Sequence, residues 1–142
     1  KTKILYVEDE AGWQMMVGTF LKLAGYEVLN ANDVDSALVQ AERQDVGVII
    51  LDLNLAGTNA SQLIGFLKAN RPGIQVILYT GVPEAEAAFK ELVRQGADQC
   101  LRKGNLRELL TAVEGAARRV AMGSMAGAEP ATAPLGLALA AA

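Results

Sequence analysis

The run Val48-Ile49-Ile50-Leu51, ending in Asp52, constrains this chain more than any other stretch. Four successive apolar residues, three of them β-branched, fit a strand covered on both faces, as in the interior of a parallel sheet. A carboxylate at the C-terminal end of such a strand lies where open α/β sheets hold their chemistry, in the crevice beyond the strand ends. Asp52 is therefore the first candidate for a working residue, with Asn54 and Gly57 in the loop that follows.

The flanking chain repeats the same alternation. Ile4-Leu5-Tyr6-Val7 predicts a first buried strand that runs into Glu8-Asp9-Glu10. Trp13, Met16, Val17, Phe20, Leu21 and Ala24 then fall on one face of a 3.6-residue period, and Gly25 supplies a stop. Glu27 to Ala31 reads as a second strand. Asp33 suits the cap of a helix with Val34, Ala37, Leu38 and Ala41 inward. A third helix is expected from about Ala60 to Asn70, with Leu63, Ile64 and Leu67 inward and Arg71-Pro72-Gly73 ending it. The fourth strand is Gln75 to Thr80. A fourth helix follows Pro83, with Ala85, Ala88, Phe89 and Leu92 inward and Gly96 beyond its end. A short fifth strand, about Asp98 to Leu101, precedes a fifth helix capped by Asn105, with Leu106, Leu109, Leu110, Val113, Ala117 and Val120 on its apolar face. Five strands alternating with five helices imply βαβ units, right-handed crossovers and a parallel sheet covered on both faces, a doubly wound α/β fold.

Composition narrows the chemistry. The 142 residues are 51% hydrophobic and 20% charged, enough for one domain with a sizeable core. The net charge of −3 argues against a nucleic-acid-binding surface. There is no histidine, which excludes triads, histidine metal sites and a phosphohistidine carried by this chain. A single cysteine excludes an internal disulfide or a cysteine zinc site and fits a reducing compartment. No secretory signal is recognisable and no apolar run approaches the ~20 residues that span a bilayer, so a cytoplasmic location without membrane contact is expected.

Glu8 and Asp9 follow the first strand, Asp52 ends the third, Thr80 ends the fourth and Lys103 lies just past the fifth. In a parallel sheet these ends share one edge, so the groups can converge. Carboxylates this close repel unless a cation intervenes. Mg²⁺ takes oxygen ligands and keeps several waters. Asp9, Asp52 and the backbone carbonyl of Asn54 can supply ligands, and Glu8 can bind through water. An oxygen of Asp52 can then act as a carboxylate nucleophile toward a phosphoryl group, with Lys103 and the Thr80 hydroxyl on the phosphoryl oxygens.

With Glu8-Asp9, Asp52, Thr80-Gly81 and Lys103 in this order, residues 3 to 120 resemble the CheY-like receiver domain of two-component response regulators. The resemblance implies a flavodoxin-like (βα)5 fold with strand order 2-1-3-4-5. It implies Mg²⁺-dependent transfer of a phosphoryl group to Asp52 from a phosphohistidine of a histidine kinase or histidine phosphotransfer protein, with slow autodephosphorylation and no other catalysis. The downstream protein is expected on the face made by the fourth helix, fifth strand and fifth helix. Three positions depart from the family pattern. Cys100 stands where an aromatic is usual, Gly104 replaces the proline after the lysine, and Ala56 replaces a proline four residues beyond the acceptor. Cys100 and Gly104 motivate an alternative: a pseudo-receiver interaction module independent of phosphorylation. An aspartate-nucleophile phosphatase is disfavoured, because it would carry a second Asp two residues after Asp9, where Ala11 stands. Residues 1–122 are read as the receiver domain and 123–142, rich in Ala, Gly and Pro, as a tail or linker in which Leu135, Leu137 and Leu139 are candidate docking residues.

Overall fold

The computed structural model describes residues 2–56, 60–81 and 85–128. The elements in order are β1 (Lys3–Val7), α1 (Ala11–Leu23), β2 (Glu27–Ala31), α2 (Val34–Arg43), β3 (Val46–Leu51), α3 (Leu53–Ala56), α4 (Ala60–Asn70), β4 (Gln75–Thr80), α5 (Ala85–Gln95), β5 (Gln99–Arg102) and α6 (Leu106–Ala128). All neighbouring strands are parallel, in the order β2-β1-β3-β4-β5. The doubly wound parallel sheet expected from the alternation is therefore present, with β3 at its centre, and its strand order is the flavodoxin-like one that the resemblance implies.

The two-residue strand period divides the core into two layers. Leu5, Val7, Ile49, Leu51, Val76 and Leu78 pack with the inner faces of α2, α4 and α5. Ile4, Tyr6, Val48, Ile50, Ile77 and Tyr79 pack with α1 and α6. This explains the unbroken apolar run at β3: Val48 through Leu51 are fully buried because each face of the strand has its own helical cover.

The capping expectations correspond to observed bonds. The Asp33 carboxylate accepts from Ser36 N–H at 2.7 Å, and Asn105 Oδ1 accepts from Glu108 N–H at 3.0 Å. Gly25 and Gly96 sit beyond their helices at φ 103° and 124°, where a side chain would be strained.

Other readings need correction. Met16 and Ala24 do not face inward; Met16 is 44% exposed, and the buried stripe of α1 is Val17, Gly18 and Leu21. A helix laid on one side of a sheet seats only a narrow stripe, and periodicity does not give its width. On α6 the buried positions are Leu109, Ala112, Val113 and Ala116, whereas Ala117 is only half-buried. The one-turn α3 was not anticipated. α6 continues through Ala128, so the change of composition at Gly123 does not mark its end. Leu135, Leu137 and Leu139 lie outside the described residues.

Candidate functional site

Each acidic group is held by an extension of the strand ladder. Glu8 N–H donates to Ala31 O at 2.9 Å, and Asp52 N–H donates to Val7 O at 3.2 Å. Both residues are thereby fixed one step past their strands. Lys103 is fixed in the same way, its N–H donating to Thr80 O at 2.9 Å. Glu8, Asp52 and Lys103 each lie two residues beyond Tyr6, Ile50 and Leu101, all of which pack toward α1 and α6. The strand period therefore carries all three toward the same side of the sheet edge.

There they meet. Lys103 Nζ lies 2.5 Å from Glu8 Oε1 and 3.1 Å from Asp52 Oδ2. Glu8 is fully buried and Asp52 is 3% exposed. Glu8 also accepts from the Tyr6 hydroxyl at 3.2 Å and from Glu10 N–H at 3.1 Å. Asp52 Oδ1 accepts from Asn54 N–H at 3.1 Å. Gln14 donates its side-chain amide to the Glu8 carbonyl and, at 2.7 Å, to Asn32 Oδ1.

Burial by itself would lower the pKa of Lys103, but its hydrogen bonds to Glu8 and Asp52 outweigh this and hold it above the ordinary lysine value. Burial, followed by the charge of Glu8, pushes the Tyr6 phenol far above its usual range. Lys103 is thus a firmly protonated cation between two carboxylates, and the cluster keeps a net negative charge.

The other anticipated residues flank this trio. Asp9 is exposed at the rim beside Glu8, and Thr80 is fully buried at the end of β4. Cys100 is half-buried against the α2, α4 and α5 layer, and burial raises its thiol pKa, which disfavours the thiolate. Gly104 has φ 124°, a conformation closed to proline, whose ring holds φ near −65°.

Lys103 pairs with both carboxylates, and Glu8 is fully buried. Among the described residues no group of three or more acidic or cysteine side chains is gathered as a metal cluster. The donor chemistry nevertheless fits a hard divalent cation: carboxylate oxygens of Asp52 and Glu8, with Asp9 adjoining and the peptide of Asn54 alongside.

Three aromatic residues complete the surroundings. The Trp13 ring centroid lies 4.5 Å from Lys103 Nζ. Trp13 meets Tyr79 edge to face, with centroids 6.2 Å apart and planes at 84°. The Tyr79 hydroxyl accepts from Gly104 N–H at 3.2 Å. Tyr6, Trp13 and Tyr79 were missed as site residues. The available signal was a tyrosine within each of two apolar runs, Ile4–Val7 and Val76–Tyr79, because a buried hydroxyl needs a partner.

The response regulator receiver domain family model matches residues 4–114. The chain belongs to that family. It is 28% identical over 127 residues to the response regulator protein FleR of Pseudomonas aeruginosa, covering 89% of this chain and 26% of FleR. It is 32% identical over 120 residues to the phosphate regulon transcriptional regulatory protein PhoB of Klebsiella pneumoniae, covering 83% of this chain and 52% of PhoB. The chain thus spans about a quarter to a half of the length of these relatives. A crystal structure of a CheY-like receiver domain protein from Methanospirillum hungatei superposes with a TM-score of 0.73 at 26% identity, covering 83% of this chain and 95% of that one. Among the described residues, no helix of this receiver domain is long and apolar enough to cross a membrane.

Proposed function

We propose that this two-component receiver domain is a phosphoacceptor, taking a phosphoryl group on Asp52 from a phosphohistidine of a histidine kinase or histidine phosphotransfer protein. One observation carries the reading. Glu8 and Asp52, buried and from separate strands, share the ammonium of Lys103, across 95 and 51 residues of sequence. A buried, net negative cluster of this kind costs folding free energy, and in this family it lies at the edge where phosphoryl transfer takes place.

In the transfer, an Asp52 carboxylate oxygen forms the new bond to phosphorus. The P–N bond to the donor imidazole breaks, and the electron pair leaves with the imidazole. Asn54 N–H orients the carboxylate through its other oxygen. Lys103 moves its ammonium from the carboxylates toward the arriving phosphoryl oxygens, and Thr80 stands at the neighbouring strand end to donate its hydroxyl. Asp9, Asp52 and the Asn54 carbonyl would hold Mg²⁺, with Glu8 behind them. Mg²⁺ supplies neutralisation of phosphoryl charge when bound. The domain has no other catalytic activity than accepting this group and slowly losing it, and it works in the cytoplasm. Output passes to a downstream protein through surface near α5, β5 and α6, without nucleic-acid contact by this domain.

A second reading, a pseudo-receiver that signals without phosphorylation, is favoured by Cys100 and Gly104, which depart from the family pattern on the fifth strand and directly after Lys103. Intact-mass measurement after incubation with acetyl phosphate and Mg²⁺ separates the two. A phosphoacceptor gains about 80 Da, the mass of one phosphoryl group, and Asp52→Asn gains nothing. No gain in the wild type with any acyl phosphate or phosphohistidine donor would leave the second reading standing.

A further inference from the structure

Among the described residues, the Lys103 ammonium meets Glu8, Asp52 and the face of Trp13. The first two belong to the acidic cluster, but Trp13 opens a path away from it. The Trp13 ring stands on Tyr79, and the Tyr79 hydroxyl holds the N–H of Gly104, the residue that follows Lys103. A closed circuit results: Lys103 side chain, Trp13, Tyr79, Gly104 backbone, and back to Lys103. It lies on the α1 and α6 side of the sheet, and Gly104-Asn105 leads directly into α6.

We infer that Trp13 and Tyr79 form an aromatic relay through which a phosphoryl group on Asp52 releases the Gly104 turn at the start of α6. This rests on the phosphoacceptor reading and adds its route of regulation. A phosphoryl group brings about −1.5 to −2 charge and draws the Lys103 ammonium off the Trp13 face. A cation over an indole stabilises the ring where it is. When the cation leaves, the ring loses one of its contacts and its edge contact with Tyr79 loosens. The Tyr79–Gly104 bond is the last link. There is room for the Gly104 turn to shift, because among the described residues no heavy atom beyond Gly104 and its two chain neighbours lies within 4 Å of where a Cβ would stand. Cys100 takes no part, since it packs in the opposite layer. Trp13 and Tyr79 are positioning residues and touch no reacting atom.

The test uses amide hydrogen exchange at Gly104 together with emission from Trp13, the single tryptophan, measured with and without acetyl phosphate and Mg²⁺, with intact mass recorded in parallel. In the wild type, phosphorylation is expected to shift the emission and to speed exchange at Gly104 about fivefold, the scale of one released hydrogen bond. Tyr79→Phe keeps the ring and removes only the hydroxyl. It is expected to take the adduct and shift Trp13 emission as the wild type does, while Gly104 exchanges fast from the outset and no longer responds. An adduct that leaves Gly104 exchange unchanged in the wild type, or a Tyr79→Phe protein with the full wild-type response, overturns the relay alone. A wild type that takes no adduct overturns the phosphoacceptor reading and the relay with it.

Discussion

The two faces of the sheet are built from the same strands but differ in chemistry. The buried residues of the layer under α2, α4 and α5 are aliphatic, with Phe89 and Cys100 half-buried against them, and several polar ties lie at the end of the sheet away from the acidic cluster. There the Arg71 guanidinium donates to the carbonyls of Val46, Ala41 and Gln44 at 2.6, 3.0 and 2.8 Å, and Asp98 accepts from Lys68 at 2.7 Å and from Val76 N–H at 2.8 Å. The layer under α1 and α6 buries Tyr6 and Tyr79 completely, and their hydroxyls reach Glu8 and Gly104. One face acts as scaffold, and the other carries polar groups from the interior to the working edge. Evenly apolar packing has no directional element to transmit a change in charge, whereas hydroxyls with single partners do.

The comparison can be broken in several ways. The largest effect is expected from cavities. Ile49→Ala and Ile50→Ala, on opposite faces of β3, should each cost about 2–5 kcal/mol in urea denaturation, showing that the faces are equal as core. Lys103→Met should cost about 3 kcal/mol at neutral pH, because it leaves two buried carboxylates without their cation.

The wild type should lose stability on the alkaline side. Lys103 and Tyr6 both have pKa values raised by folding. Their contribution is complete below the unfolded values, near 10, and drains away as pH rises from there toward the folded values. Denaturation curves between neutral pH and pH ~11 should show this slope, and it should be shallower in Tyr6→Phe. At neutral pH, Tyr6→Phe should itself cost about 1.5 kcal/mol, the low end for one hydrogen bond to a charged group. The smallest effect is expected at Cys100→Ala, under about 1 kcal/mol, with the Gly104 exchange response intact. A lost response in Cys100→Ala would move signal transmission to the aliphatic face.

Local regularities alone determined much of this molecule. The five buried runs, the helical periods between them and the caps at Asp33 and Asn105 depend on neighbours a few residues apart, so the doubly wound fold was legible. So was the gathering of Glu8, Asp52, Thr80 and Lys103 at one edge, because parallel strands put their C-terminal ends together. Tertiary structure decided how those groups pair. That Lys103 spans Glu8 and Asp52, that Trp13 covers it and that Tyr79 reaches Gly104 all join residues far apart in sequence. Such contacts depend on the register between strands and on the seating of α1 against the sheet, which no local period encodes.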